Sequence, residues 1–195
     1  MARKQGSYAD TTGPRVRDAA LRLIARHGFA AVSMRQIAAE VGVQAGALYS
    51  YTPDKQSLLF ALLDNHMADL AVAVAQAGIV GTPRQRLDGF TRFHIRFHLP
   101  RRDAVFVSYM ELRNLDGDNF ARIAARRRAY EDVLEDILRD GVADGSFRVD
   151  DTRVTTLALI AQLTGITNWY DPAGRLTRDE IEAIYCALVR RTVQA

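Results

Sequence analysis

The sequence predicts an all-α fold. Apolar residues recur every three to four positions through nearly every segment, which is the period of an amphipathic helix. The breaks between segments carry Gly, Pro, Asp and Thr rather than the β-branched alternation that is typical of strands. Ser33 with Gln36, and Thr177 with Glu180, have the spacing of helix capping boxes. We therefore expect helices throughout the chain.

The first helix is predicted to begin near Pro14, because proline is tolerated at the first helical position. Its apolar stripe includes Val16, Ala20 and Ile24, and Gly28 is expected to end it. The polar residues before it, 1–13, are expected to form a mobile N-terminal arm.

Two short helices and a long one are predicted next. Ser33 begins the first short helix, which ends at Gly42, and the second short helix runs through Leu48. Thr52 and Pro53 are expected to provide the cap and the first residue of the long helix.

The remaining residues are predicted to form further helices, separated by the turn at residues 171–174 and by Gly or Pro. Thr82 with Pro83 begins one of them, and Pro100 is expected to stop it. Later helices are expected to start at Asp103, at Asp118, at residue 151 and at Thr177.

Charge is distributed unevenly along the 195 residues, although the net charge is only +3. Residues 1–60 contain eight Lys and Arg against four Asp and Glu, and the remainder contains eighteen against nineteen. This asymmetry suggests that the first third contacts a polyanion, although a solvated basic face gives the same count.

The composition also predicts a soluble, cytoplasmic protein. Cys186 is the only cysteine, so no disulfide can form within one chain and a reducing compartment is expected. The polar N-terminus, MARKQGSYADTTG, lacks the apolar region of a signal peptide. No apolar run approaches the ~20 residues that span a bilayer, so no membrane partner is expected.

Residues 33–59, SMRQIAAEVGVQAGALYSYTPDKQSLL, contain the most informative motif. Two short helices around a tight Gly turn suit insertion of the second helix into a DNA major groove. Small residues at 45–47 allow that helix to approach DNA closely. Candidate groups for phosphates or base edges are Arg35, Tyr49, Tyr51, Thr52 and Lys55. A helical hairpin packed for stability alone gives a similar pattern.

The segment from Arg15 to Leu63 resembles the DNA-binding domain of the TetR family of repressors. The resemblance is carried by ALRLIARHGF, SMRQIAAEVGV and ALYSYTPDKQSLL. The commonest family pattern has Phe at the position of Tyr51 and an acidic residue at that of Gln56. The resemblance implies a DNA-binding domain at 14–60 and a ligand-binding and dimerisation domain at 61–195. It implies three helices in the DNA-binding domain and places Arg35, Tyr49, Tyr51 and Lys55 at its DNA-contacting positions. Four further residues lie along the recognition helix: Gln44, Ala45, Gly46 and Ala47.

The second half resembles TetR-like regulators of fatty-acid and steroid-ring breakdown that respond to acyl-CoA thioesters. The matching stretches are ARRRAYEDVLEDILRDGVADGSFR and NWYDPAGRLTRDEIEAIYCALV. In those regulators the WY-x-P-x-G turn and the helix after it belong to the dimer-forming end. Where family members often carry a basic residue near the Trp, this chain has Asn168 and Asp171.

These features predict a ligand-responsive repressor that binds a palindromic double-stranded operator as a homodimer and is released by a small amphipathic effector, such as an acyl-CoA. The dimer is expected to form through apolar residues of the last two long helices and the turn between them: Leu157, Ile160, Trp169, Ile184, Tyr185, Leu188 and Val189. The effector is expected to contact apolar residues and a few polar anchors: Phe93, Phe97, Tyr109, Met110, Arg113, Asn114, Arg127, Tyr130 and Leu163.

Other kinds of site are disfavoured. His94 and His98 are four residues apart, but no HExxH motif or further ligand accompanies them, so no metal site is expected. No phosphate loop, nucleophile elbow or paired carboxylates are present, so we expect neither a cofactor nor an enzyme. The alternatives are a small helical ligand-binding protein or enzyme with an incidental helix-turn-helix segment, and an architectural nucleic-acid binder without a ligand.

Overall fold

Nine α-helices and three short 3-10 segments make up the secondary structure of residues 6–194, which are the residues described by the computed structural model. Side chains are described from residue 12 onward. The helices are α1 (Gly6–His27), α2 (Met34–Val41), α3 (Ala45–Leu48), α4 (Lys55–Gln76), α5 (Pro83–His98), α6 (Arg102–Met110), α7 (Gly117–Ala143), α8 (Thr152–Thr164) and α9 (Arg178–Thr192). Residues 6–194 contain no strand, and the predicted all-α fold is confirmed.

The helices form two compact units. The first contains residues up to 66 together with 106–123, and the second contains 67–105 together with the residues from 124 onward. In the first unit α2 packs against both α1 and α3, and in the second α5 packs against α8 and α9. Three helices, α4, α6 and α7, contribute residues to both units.

The start of α1 differs from the prediction. The helix begins at Gly6, and Pro14 lies inside it. A proline lacks the N–H that would bond to the carbonyl four residues earlier, but the residues on both sides of Pro14 are helical here. Residues 6–13 therefore belong to α1 rather than to an arm, and residues 1–5 of the expected arm lie outside the described residues.

The predicted capping boxes are confirmed at Ser33 and Thr177, where each side chain and the residue three positions later bond each other's backbone N–H. The cap of α4 was predicted wrongly. Asp54, rather than Thr52, accepts the backbone N–H of Ser57 at 2.7 Å, because a carboxylate at this position reaches the first free amides of the helix.

The connection between α5 and α6 also differs from the prediction. Instead of a stop at Pro100 and a new cap at Asp103, a 3-10 turn at Leu99–Arg101 leads directly into α6. Pro100 occupies an early position of this turn, where a missing N–H is tolerated.

Residues 106–123 were assigned by the sequence to the second domain, but they lie in the first unit. Gln56 donates from Nε2 to the Asn114 carbonyl at 2.7 Å, and the Arg122 guanidinium lies 4.4 Å from the centre of the Phe60 ring. These contacts join residues about sixty positions apart, so local sequence patterns do not reveal them.

Candidate DNA interface and effector cavity

The helix-turn-helix is held together by a glycine turn and a buried leucine. Gly42 has φ +78°, in the left-handed region that favours glycine, and its N–H bonds back to the end of α2. Leu48 of α3 is fully buried. Arg15 of α1 donates to the Val41 carbonyl at 2.8 Å and so ties α1 to the end of α2, a contact that the sequence analysis missed.

The predicted DNA-contacting residues around α3 present an exposed face. Gln44, Gly46 and Ala47 are exposed, and Ala45 is half-buried. Tyr49 is 57% exposed and Tyr51 is 37% exposed, so both side chains reach the surface. This face combines small residues that permit close approach with hydroxyl and amide groups that hydrogen-bond to DNA.

Arg35, Thr52 and Lys55 lie in different environments. Arg35 is exposed, and it has no hydrogen-bond or ion-pair partner among the described residues. Thr52 is buried, and its hydroxyl donates to the Asp54 carbonyl at 3.0 Å, so this hydroxyl is used inside the protein. Lys55 is half-buried, with Nζ 4.2 Å from the centre of the Phe29 ring. Burial lowers the pKa of Lys55, and the Glu111 carboxylate opposes that lowering.

The second unit contains a cavity of about 670 Å³ between α4, the segment 78–80, the start of α5 and α7. Its volume is in the range of small-molecule sites, and most of its lining is apolar. The lining residues are Met67, Ala71, Val74, Ala75, Gly78, Ile79, Val80, Arg86, Arg126, Ala129, Tyr130, Val133, Asp136 and Ile137.

One wall of the cavity is connected to a buried histidine. Tyr130 lines the cavity, and its hydroxyl lies 2.9 Å from Nδ1 of His94. The other ring nitrogen of His94 lies 3.1 Å from Oγ1 of Thr164. Burial, and then the charge of His98, hold the pKa of His94 well below its usual value, so this histidine is neutral at pH 7.

The predicted effector residues are not brought together in one cavity. Tyr130 lines the α4–α7 cavity, whereas Phe93 and Phe97 line a separate groove with three arginines of residues 92–101. Leu163 is buried in the core of the second unit. Four of the predicted residues belong to the first unit: Tyr109, Met110, Arg113 and Asn114. Arg127 lies on α7, next in sequence to the cavity residue Arg126.

Arg86 and Arg126 line the cavity, although neither was predicted as an effector residue. A signal for Arg126 was present, because Arg126, Tyr130, Val133 and Ile137 lie four, three and four positions apart and share one helix face. Arg127 lies three positions before Tyr130, a spacing that also fits one helix face, so only the tertiary structure shows that Arg126 rather than Arg127 lines the cavity. No comparable signal identifies Arg86, because it belongs to a different helix.

The residues predicted for the dimer interface divide into two groups. Leu157, Trp169 and Ile184 are exposed, and Tyr185 and Leu188 are half-buried. The rings of Trp169 and Tyr185 stack with centroids 6.4 Å apart. Ile160 and Val189 are buried inside the second unit, so their surface is already covered within one chain and they do not extend this apolar face.

His94, His98 and Cys186 are buried within the second unit. The rings of His94 and His98 stack at 4.0 Å, and the described residues contain no group of three or more His, Cys, Asp or Glu side chains arranged to hold a metal. Burial raises the pKa of the Cys186 thiol, which reduces its reactivity.

By length and composition, α4 is the one helix in the described part of the chain that could cross a membrane. Many of its large apolar side chains are nevertheless buried within the protein: Leu58, Leu59, Leu62, Leu63, Met67 and Leu70. A core helix of a soluble protein has the same composition, so α4 is weak evidence for a membrane span.

Two family models match this chain. Residues 16–62 match the model for bacterial regulatory proteins of the tetR family, and residues 80–193 match the model for the tetracyclin repressor-like C-terminal domain. The chain belongs to the TetR family. The predicted family resemblance is confirmed, and TetR membership favours a DNA-binding transcriptional regulator over the alternative of an enzyme or carrier with an incidental helix-turn-helix.

Individual TetR-family proteins are similar over most of this chain. The transcriptional repressor KstR2 of Mycolicibacterium smegmatis is 29% identical over 175 residues, which are 87% of this chain and 84% of the relative. A tetR-family regulatory protein from Rhodococcus RHA1 has a solved structure with a TM-score of 0.87 and 28% identity, covering 94% of this chain and 97% of its own. AibR, in complex with isovaleryl coenzyme A and operator DNA, has a TM-score of 0.84 and 26% identity, covering 91% and 97%.

Proposed function

We propose that this TetR-family chain is a cytoplasmic repressor that binds a palindromic operator as a homodimer and leaves it when an amphipathic acyl compound occupies the α4–α7 cavity. One observation carries the proposal. The second half of α4 lines the cavity with Met67, Ala71 and Val74, and the first residue of the same helix is Lys55, in the helix-turn-helix motif. A single helix therefore contributes to both candidate sites.

Operator binding is supported by the exposed α3 face and by the excess of basic residues in the first third of the chain. A homodimer carries two such faces, and paired recognition helices about one DNA turn apart require a palindromic site. The structure of AibR in complex with operator DNA supports operator binding by this similar chain.

Dimerisation is supported by the apolar face on the last two helices and the turn between them. Leu157 and Ile184 are each 44% exposed, and Trp169 is 55% exposed, which is a costly arrangement for a monomer in water. Two copies of this face would form a four-helix interface around a twofold axis.

The chemistry of the effector is supported by the cavity lining. Its walls are mostly apolar, and its polar lining residues are Arg86, Arg126, Tyr130 and Asp136. Two arginines against one carboxylate suit an apolar body with an oxygen-bearing end. AibR binds isovaleryl coenzyme A, an acyl thioester of this kind. Release from the operator requires only that the effector bind one conformation of the dimer more tightly than the DNA-bound conformation.

Fluorescence anisotropy with labelled DNA from the promoter region of the gene tests the proposal. A thermal-shift screen of acyl-CoAs, fatty acids and aromatic compounds selects ligands, and each is then added to the protein–DNA complex. We expect an acyl compound to lower operator affinity and, by reciprocity, operator DNA to weaken binding of that compound by the same factor. A ligand that stabilises the protein but leaves operator affinity unchanged would contradict release by induction.

A further inference from the structure

Arg86 is an incompletely paired arginine at the edge of the cavity. Its Nη2 donates to Oδ2 of Asp140 at 2.7 Å. Its Nε is buried and has no hydrogen-bond acceptor within residues 6–194. A buried donor without an acceptor costs free energy, so an oxygen supplied at this position would be bound favourably.

Other arginines of the second unit show what complete pairing looks like. Arg96 donates from Nε and Nη2 to the two carboxylate oxygens of Glu182 at 2.8 and 2.7 Å. Arg190 does the same with Asp88, at 2.8 Å for both bonds. Arg86 makes only one bond of such a pair, although the planar guanidinium presents both N–H groups along one edge.

Asp140 occupies that edge in this structure, so a ligand would have to displace it. The side chain of Asp140 is 58% exposed, so it loses little by turning toward water. Arg86 itself lines the cavity with Ile79 and Val80, beside the apolar wall formed by Val133 and Ile137. A ligand with its hydrocarbon part against this wall would bring an oxygen at its end to Arg86.

We propose that Arg86 is the anchor for the carbonyl oxygen of the effector, either a free carboxylate or a thioester, and selects acyl compounds over alcohols of the same chain length. This inference rests on the proposed function, because it takes the α4–α7 cavity as the effector site. Asp140 competes with the effector for the same edge of the guanidinium and sets how tightly an anionic end is bound.

Isothermal titration calorimetry with decanoate, decanoyl-CoA and decanol tests the proposal on the full-length protein. Arg86→Ala should weaken binding of the acyl probe roughly tenfold or more, the usual effect of losing a hydrogen bond to a charged group, and leave decanol affinity unchanged. Comparing decanoate with decanoyl-CoA distinguishes a carboxylate from a thioester. Arg84→Ala removes an exposed arginine two positions away and is the matched control.

A second variant changes affinity in the opposite direction. Asp140→Asn keeps the shape of the side chain, removes the competing charge and should strengthen decanoate binding without affecting decanol. A folding defect weakens binding of every probe, so opposite shifts from Arg86→Ala and Asp140→Asn cannot come from misfolding.

The possible outcomes separate this inference from the proposed function. Equal losses for Arg86→Ala and Arg84→Ala, or equal losses for decanoate and decanol, overturn the role of Arg86 and leave the repressor function standing. If neither acyl probe binds the unmodified protein, both the anchor and the effector class are refuted. If Arg86-dependent binding occurs without operator release, the anchor is supported and induction is refuted.

Discussion

Replacement of Arg35 by alanine should weaken DNA binding without changing the stability of the fold. Arg35 is exposed and has no ion-pair or hydrogen-bond partner in the described part of the chain, so its removal should not change the melting temperature. Lys55 is a useful comparison, because its ammonium packs 4.2 Å from the centre of the Phe29 ring. Losing that contact should cost about 0.5–1 kcal/mol of stability in addition to any loss of DNA affinity.

The size of the Arg35 effect follows from counterion release. If Arg35 contacts one phosphate in each half-site, the dimer loses two contacts, and the slope of log K against log salt should fall by about 1.8. If the variant and the unmodified protein bind equally at 1 M salt, this difference in slope makes the variant about 30-fold weaker at 0.15 M salt and about 200-fold weaker at 0.05 M salt. The loss should be similar for operator and unrelated DNA.

Fluorescence anisotropy over a salt series measures both quantities, with Arg84→Ala as a charge-matched control in the second unit. Gln44→Ala, on the exposed α3 face, should instead change which operator sequence is preferred. An unchanged salt slope for Arg35→Ala, or a loss confined to one DNA sequence, would show that Arg35 does not contact a phosphate.

Three further predictions concern stability and assembly. A Cβ at Gly141 would lie 2.6 Å from Cγ of Phe147, so Gly141→Ala should lower the free energy of unfolding by about 1–2 kcal/mol despite better helix propensity. At Gly89 the nearest atom is 3.7 Å away, so Gly89→Ala should raise the free energy of unfolding by up to ~1 kcal/mol. Urea unfolding measures both changes, and shifts of the same sign would contradict the packing argument. The pKa of His94 lies below its unfolded value of 6.5, so the unfolded chain binds more protons below that pH and stability should fall as the pH decreases, by at most about 1.4 kcal/mol per pH unit for this group. Urea unfolding between pH 5 and 8 should show a shallower fall for His94→Phe, and an unaltered pH dependence would exclude His94 as its source. Leu157→Glu should be monomeric in analytical ultracentrifugation and should bind the operator more weakly. The control variant Val142→Glu, at an exposed apolar position on α7, should remain dimeric. A dimeric Leu157→Glu would place the interface elsewhere.

The helix-turn-helix could be predicted because its determinants are close together in the sequence. Ser33 and Gln36 cap α2 across one turn, and Gly42 supplies the left-handed residue that ends it. Leu48 is buried at the position where the helical period places it. The family resemblance then placed Gln44, Gly46 and Ala47, which are exposed, along the recognition helix.

Locally similar signals also produced errors. Thr52 and Asp54 are both good cap residues, and the choice between them depends on the direction in which the chain enters α4. Ile160 and Val189 have the same apolar character as Leu157 and Ile184, but only the packing of α8 and α9 onto α5 determines which side of each helix is covered.

The helical fold and the DNA-binding motif near the N-terminus could be predicted because helix periods, caps and a glycine turn act over a few residues, and the TetR assignment followed from the resemblance of that motif to the family. The position of the cavity between α4 and α7, with Arg86 half-paired at its edge, emerges only when the helices pack. A cavity is the space that remains after distant helices pack, and an unpaired donor depends on which groups from other helices reach it. Neither property belongs to any one segment of the chain.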